Sequence, residues 1–349
     1  MARKFLWASL ALAPATFVVD FAFHAGDVAL FVLAALALVP LAWLIGEATE
    51  HAAEHTGPGI GGFLNASFGN APEVIIALFA VGDGLPEVVR GSLTGSVVSN
   101  LLLVLGVAIV LGPRTAALDR RSLLVQLALV AVAVLVFFAP AIPGWHGDPE
   151  RHSLALATLP VAIALLALYL VRTTVMLRRQ RRIHAESGRE AEAGTWSLPL
   201  SLAALGLATA ATAVISEILV HSLKAFAEAA SLSQFFIATV IVAIVGNAAE
   251  HGGAVVIAHR GKMKLASEIA VSSSAQVALF VVPVVTLLSW VVRPALPLSF
   301  RPIELATMGG AAALVTFAAL DGRSRRWEGW LLIAAYAAVA YGFFAAGDR

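Results

Sequence analysis

Long apolar stretches alternate with short polar joints along the whole 349-residue chain. An α-helix needs about 20 mostly apolar residues to cross a bilayer. The pattern therefore predicts an all-α membrane protein with about eleven transmembrane helices, the first of them retained rather than cleaved as a signal peptide. The predicted spans are 5–23, 28–48, 59–81, 87–111, 122–140, 153–177, 197–220, 234–258, 265–291, 303–320 and 329–346.

Composition agrees with a membrane protein. Hydrophobic residues make up 60% of the chain and charged residues 13%, whereas soluble domains carry about 45–50% and 25%. The absence of Cys excludes disulfides and thiolate metal sites. A net charge of +1 gives no indication of a nucleic-acid partner. The lipid bilayer is the predicted surrounding, and the sequence leaves open whether the chain forms a homo-oligomer.

A charged segment at residues 178–196 divides the chain. A polar joint of this length is unusual in a compact protein. It separates an extra first helix (1–26) and a five-helix repeat (27–177) from a second five-helix repeat (197–349). A passive cytosolic connection is the simpler interpretation of the segment, and a regulatory helix is the alternative.

Lys and Arg accumulate on alternate loops. By the positive-inside rule these loops and the N-terminus are cytosolic, and the C-terminus is outside. The residues assigned to the cytosol are Arg3, Lys4, Arg114, Arg120, Arg121, Arg178, Arg179, Arg181, Arg182, Arg189, Arg260, Lys262, Lys264, Arg323, Arg325 and Arg326. Those assigned to the other side are Arg151, Lys224, Arg293, Arg301 and Arg349.

One motif occurs twice in the chain. Residues 69–73 (Gly-Asn-Ala-Pro-Glu) recur as residues 246–250 (Gly-Asn-Ala-Ala-Glu), 177 positions later (246 − 69). In the predicted topology the two copies cross the membrane in opposite directions. This relation predicts two inverted repeats with an ion site at their interface.

The same offset relates a second pair of polar clusters on the following helices. Ser96 and Ser99 correspond to Ser273 and Gln276. Each glycine permits a local break in its helix, and the carboxylates lie near the predicted midplane. The candidate cation ligands are Gly69, Asn70, Glu73, Ser96, Ser99 and Asn100 in the first repeat and Gly246, Asn247, Glu250, Ser273 and Gln276 in the second.

These groups offer only oxygen ligands and two formal negative charges. Ca2+ takes six to eight oxygen ligands in a flexible geometry, whereas Mg2+ demands a stricter octahedron. The lack of Cys and of a His pair at the motif argues against Zn2+ or Cu2+. Without the cation, two facing carboxylates in a low dielectric cannot both stay ionised, and we expect them to bind protons as a pair. Competition between Ca2+ and protons for one site is the chemical basis of an antiporter.

Four segments carry a resemblance to a known family. Residues 69–73 and 95–106, with residues 246–251 and 272–283, resemble the two α-repeats of the calcium/cation antiporter superfamily. The Asn-Ala pairs in both motifs are more similar to the Ca2+/H+ exchanger (CAX) family than to Na+/Ca2+ exchangers. The resemblance covers essentially the whole chain. It implies that Glu73 and Glu250 are Ca2+ ligands and that spans 2 and 7 are sliding gating helices.

Three more polar residues are candidates for gating or for a proton path. Glu50 and Glu217 lie on the predicted gating helices, and His251 follows Glu250 and could hydrogen-bond to either of them. For Glu50 a solvated helix end is an equally good interpretation.

A short segment of span 2 matches a zinc pattern. His51, Glu54 and His55 match the H-x-x-E-H motif. A solvated helix end is the simpler interpretation, and cytosolic cation capture or pH sensing is another.

The sequence thus predicts a secondary transporter rather than an enzyme. It exports cytosolic Ca2+ in exchange for protons across the cytoplasmic membrane of a bacterium. We predict no cofactor, with Ca2+ as the transported substrate, because the chain lacks a phosphate-binding G-x-x-x-x-G-K-[ST] loop. A Na+ or K+/H+ antiporter of the same architecture and a membrane-embedded metallohydrolase are the alternatives.

The orientation can be tested by cysteine labelling, since the chain has no native Cys. Ala191→Cys lies in the predicted cytosolic segment and should resist an impermeant maleimide in intact cells. His146→Cys lies on the predicted outer side and should react. The opposite labelling pattern would overturn the orientation but leave the inverted relation of the repeats intact.

Overall fold

The computed structural model describes residues 2–23, 26–187 and 196–349, and helices dominate it. The elements before the division of the chain are α1 (Ala2–Ser9), α2 (Leu12–Phe23), α3 (Asp27–Phe68), α4 (Ala71–Gly82), α5 (Pro86–Val98), a π-helical segment (Ser99–Val104), α6 (Leu105–Leu111), β1 (Thr115–Ala117), α7 (Arg120–Gly144) and α8 (His152–Ser187).

The second part of the chain has a similar order of helices, with further breaks and with its strand between the last two helices. Its elements are α9 (Leu198–Ala230), α10 (Gln234–Phe236), a π-helical segment (Ile237–Val242), α11 (Ala243–Gly246), α12 (Ala248–His259), α13 (Met263–Gln276), a π-helical segment (Val277–Val281), α14 (Val282–Val292), α15 (Pro302–Ala319), β2 (Arg323–Arg325) and α16 (Arg326–Ala346).

The all-α membrane architecture is confirmed, but the count of eleven spans is not. In the described part of the chain, nine helices are long and apolar enough to cross a bilayer, and one bent pair makes ten. The difference lies in predicted span 3 (59–81), which the structure divides between the end of α3 and α4. With 12 residues, α4 alone is too short to cross a bilayer.

The predicted joint between spans 2 and 3 is also wrong. α3 continues without interruption from Asp27 to Phe68, through the polar residues 47–56. Charged residues mark where a helix leaves the bilayer, yet Glu is a good helix former. The polar residues 47–56 therefore indicate where α3 leaves the bilayer, but the helix itself continues beyond them to Phe68.

Two helix breaks lie where the repeated motif predicted them. Asn70 separates α3 from α4 with φ −101° and ψ 14°. Asn247 separates α11 from α12 with φ −96° and ψ 9°, and the helices around it bend by 60°. The same local sequence thus adopts nearly the same non-helical conformation twice.

Contacts between loops define two ends of the molecule. At one, which we call the basic end, β1 pairs antiparallel with β2, and Lys264 Nζ lies 2.9 Å from Asp119 Oδ2. Hydrogen bonding to Lys264 lowers the pKa of this half-exposed Asp119 carboxyl. The predicted alternation of loops agrees with these pairings.

At the opposite end, charged side chains join the two repeats. Buried Arg90 donates to the Pro297 carbonyl at 3.2 Å and pairs with Glu150 at 2.7 Å. Arg349 donates to the Gly144 carbonyl at 3.2 Å, and its backbone N–H donates to Glu87. Since α5 begins here and α13 begins at the basic end, α4 and α12 run in opposite directions.

The predicted linker 178–196 is partly helical. α8 runs on to Ser187, and α9 begins at Leu198. Arg has a high helix propensity, so the charged sequence continues the helix. Residues 188–195 of the predicted linker lie outside the described residues, as do His24 and Ala25 in the first joint.

Small residues allow close approach between helices of the two repeats. A Cβ atom on Gly106 of α6 would lie 2.9 Å from the Gly329 carbonyl oxygen of α16, and a Cβ on Gly329 would lie 2.8 Å from the Gly106 carbonyl oxygen. Membrane helices associate through such contacts because lipid gives no hydrophobic drive between them.

We therefore expect Gly106→Ala to destabilise the protein by about 1–3 kcal/mol through overpacking. Gly206→Ala is the matched control, because a Cβ there meets no atom within 4 Å. Thermal unfolding in detergent should show a lower midpoint for the first variant only. Equal midpoints would contradict the close packing of α6 on α16.

Candidate functional site

The two acidic residues of the motif occupy equivalent positions after the helix breaks. Glu73 is the third residue of α4, and Glu250 is the third residue of α12. The N-terminal turn of a helix carries free N–H groups and a partial positive charge that favours a carboxylate. Each break therefore creates a local environment for a carboxylate at membrane depth.

The asparagines at the two breaks reach across to the other repeat. Asn70 Nδ2 donates to Gln276 Oε1 on α13 at 2.9 Å. Asn247 Nδ2 donates to Ser96 Oγ on α5 at 2.8 Å and to the Ala243 carbonyl at 2.9 Å. Both asparagines are buried. The repeats thus meet through hydrogen bonds between the predicted site residues.

A further group of hydrogen bonds surrounds Glu250. Asn100 Nδ2 lies 3.0 Å from Ser273 Oγ and 3.4 Å from Asn247 Oδ1. The Ser273 hydroxyl in turn donates to the Glu250 carboxylate. Glu250 is therefore held by a serine that itself contacts the first repeat.

Glu73 lies in a different environment. Its side chain is buried, and neither carboxylate oxygen has a hydrogen-bond partner among the described residues. Gly246 of the second repeat faces it, since a Cβ there would lie 3.6 Å from Glu73 Cγ. When both are ionised, the negative charges of Glu73 and Glu250 repel each other. An unpaired carboxylate in a low dielectric is costly, which is the situation a cation or a proton relieves.

Not every predicted residue joins this cluster through its side chain. The Ser99 hydroxyl donates to the Ser96 carbonyl of its own helix at 3.3 Å. Gly69 contributes to the break and is half-buried.

The structure does not bring the gating candidates into the cluster. Glu50 and Glu217 are exposed, and the buried neighbour on α9 is Ser216. His251 has its Nε2 buried without a hydrogen-bond partner among the described residues. In that same part of the chain, no three acidic or histidine side chains converge as metal ligands. The predicted links from His251 to Glu50 or Glu217 are thus not observed.

The two histidines of the predicted zinc pattern, His51 and His55, contact neighbouring side-chain and backbone groups. His51 Nδ1 lies 3.2 Å from Glu54 Oε2, and its ring stacks on Trp196 with centroids 5.0 Å apart. His55 Nε2 lies 2.6 Å from the Trp196 carbonyl oxygen. These contacts join α3 to the start of α9 and do not supply the convergent ligands that a zinc centre needs.

Sequence reasoning missed the π-helical segments beside the site. Ser99–Val104 follows α5, and Val277–Val281 follows α13 within one residue of the position given by the repeat offset. It also missed Ser274, whose hydroxyl donates to the Val97 carbonyl across the repeats at 3.1 Å. The serine run 272–274 was the available signal, but its register was not visible without the packed helices.

Two oppositely directed broken helices that place carboxylates at a repeat interface define an inverted-repeat ion transporter. The chain belongs to the sodium/calcium exchanger protein family, whose model matches residues 27–178 and 200–345.

Individual relatives match along nearly the whole chain. A protein of Bacillus subtilis (strain 168) named Ca(2+)/H(+) antiporter ChaA is 37% identical, covering 92% of this chain and 93% of its own length. A Ca(2+)/H(+) antiporter of Aphanothece halophytica is 34% identical over 92% of this chain and 91% of its own. The solved structure of native YfkE has a TM-score of 0.82 at 34% identity, covering 97% of this chain and 99% of that one.

Proposed function

We propose that this protein is a secondary Ca2+/H+ antiporter that exports cytosolic Ca2+ in exchange for protons. The observation that carries the proposal is the pair of buried Glu73 and half-buried Glu250, placed after matching helix breaks in opposite repeats. Intramembrane carboxylates are functional by default, because burying them is expensive.

The chemistry of the surrounding groups favours a hard divalent cation. Beside the two carboxylates lie amide and hydroxyl oxygens of Asn70, Asn100 and Ser96. Two negative charges with neutral oxygens fit Ca2+, which accepts irregular oxygen shells. The names of the two curated relatives, both Ca2+/H+ antiporters, support the same cation.

The same carboxylates account for proton coupling. When the cation leaves, two carboxylates that act on each other in a low dielectric are poorly solvated, and protons replace the lost charge. Ca2+ arriving from the cytosol displaces these protons, and protons arriving from outside displace Ca2+. The proton gradient then supplies the work of export.

We assign alternating access to α3 and α9, the long first helices of the repeats. They pack on each other through Phe31 and Phe226, whose rings stack with centroids 4.3 Å apart, and through a separate apolar cluster that includes Ile45 and Leu205. Apolar contacts at two places along the pair suit a joint sliding movement against the remaining helices.

The proposal also includes the domain boundaries and the orientation in the membrane. The functional units are the repeats 27–177 and 197–349, and the basic end faces the cytosol of a bacterium by the positive-inside rule.

Glu73→Gln and Glu250→Gln should each reduce Ca2+ exchange to background while the protein stays folded. Each variant removes a proton site and half of the formal charge that faces Ca2+. Uptake of radioactive Ca2+ into proteoliposomes with an imposed pH gradient measures the effect. Glu228→Gln, an exposed carboxylate on α9, is the matched control and should retain exchange. Wild-type transport by either site variant would refute the proposed site. Proton movement driven by Na+ or K+ in the wild-type protein, without Ca2+ uptake, would favour a Na+ or K+/H+ antiporter instead.

Protons and Ca2+ should compete. Lowering the pH on the Ca2+-loading side should raise the apparent KM for Ca2+, while saturating Ca2+ restores the maximal rate. Ser96→Ala or Gln276→Leu should weaken Ca2+ more than protons, because these neutral oxygens do not carry the exchanged proton. A pH series of initial rates against Ca2+ concentration tests this. A fall in maximal rate at constant KM would place the proton site elsewhere.

A further inference from the structure

Asn100 has no polar counterpart in the other repeat. Under the repeat offset, Ser96 corresponds to Ser273, but Asn100 corresponds to Val277. Asn100 lies in the π-helical segment Ser99–Val104 and is 1% exposed. The carboxylates of the site are therefore related by the repeat, whereas the second amide of each repeat, Asn100 in one and Gln276 in the other, stands at a different position.

The position of Asn100 gives its side-chain N–H groups a definite direction. Its Nδ2 atom donates to Ser273 Oγ at 3.0 Å and faces Asn247 Oδ1 at 3.4 Å. A serine hydroxyl carries one proton and accepts through its lone pairs. Because Ser273 accepts from Asn100, its proton is directed to the Glu250 carboxylate. A hydrogen-bond chain thus runs from Asn100 through Ser273 to Glu250.

Glu73 lacks a corresponding chain. Both its oxygens are without a hydrogen-bond partner in the described part of the protein, and Ser96, the counterpart of Ser273, instead accepts from Asn247. Gly246 leaves space beside it. One carboxylate is therefore held in a fixed direction, and the other is not.

We infer that Asn100 is a positioning residue, which fixes Glu250 through Ser273 and so preorganises one half of the cation site. This inference rests on the proposed function and differs from the expectation that Asn100 acts only as an oxygen ligand. Its Oδ1, buried and without a hydrogen-bond partner among the described residues, leaves that direct role available. The two roles differ in their dependence on Ser273.

A double-mutant cycle separates them. Asn100→Leu should weaken equilibrium binding of radioactive Ca2+ to the purified protein about tenfold, the loss expected for one hydrogen bond that orients a charged group. Ser273→Ala should have a similar effect. In the Ser273→Ala background, Asn100→Leu should add little, because its route to Glu250 is already interrupted. In transport, the loss should be found in KM with maximal rate largely kept.

Controls keep the outcomes distinct. Ser92→Ala, whose hydroxyl donates to the Val89 carbonyl of its own helix, should bind as wild type does. Thermal unfolding checks each variant, and Asn100→Ala replaces Asn100→Leu if the larger side chain prevents folding. Effects of the two site variants that multiply would overturn the positioning role and leave the antiporter intact. A wild-type protein that binds no Ca2+ would overturn both.

Discussion

The structure depends on the cost of keeping two carboxylates inside a membrane. Each costs roughly 2.5–3.5 kcal/mol on insertion scales. A continuous helix offers a carboxylate no free backbone donors in its middle, whereas a broken helix exposes an N-terminal turn. Three features of the structure meet that cost. They are the helix breaks at Asn70 and Asn247, the asparagine hydrogen bonds to the opposite repeat, and the small residues that let the helices approach each other.

The two repeats share a backbone but not a set of contacts. Asn70 and Asn247 have almost the same dihedral angles, yet one bonds a glutamine and the other a serine. A site between inverted repeats does not need equal halves. Among the described residues, Glu250 is held by a hydrogen bond, whereas Glu73 is not. Such a pair can bind a cation through one fixed carboxylate while the other changes its orientation, which suits a site that must also release its substrate.

The sequence revealed most of the fold because its strongest signals are local and repeated. The Gly-Asn pairs predicted both breaks, since a glycine next to a polar residue within an apolar stretch is typical of an interrupted membrane helix. The end of α3 could not be predicted in the same way, because residues 47–56 are polar and helix-forming together. Glu217 was expected near the site, but the side that α9 presents to its neighbours is set by packing, and Ser216 is the buried residue.

Hydrogen-bond partners were the least predictable feature. Asn70, Asn247, Ser273 and Gln276 could be chosen from the repeat offset, and Asn100 from the polar cluster that it forms with Ser96 and Ser99, but the pairing of these residues could not be predicted. A π-helical segment shifts the backbone register beside Asn100, and no residue type marks such a shift. The inequality of Glu73 and Glu250 is therefore a property of the packed structure.

The two ends of the molecule join the repeats by different kinds of bond. At the basic end the connection is the backbone ladder between β1 and β2, together with the solvent-accessible ion pair between Lys264 and Asp119. At the opposite end the guanidinium groups of Arg90 and Arg349 donate to the Pro297 and Gly144 carbonyls of the other repeat, and the Arg349 backbone N–H donates to Glu87. Dissolved ions screen exposed charges strongly and backbone hydrogen bonds hardly at all. A rise in ionic strength therefore weakens the Lys264–Asp119 pair, while the β1–β2 ladder beside it keeps the repeats joined at the same end.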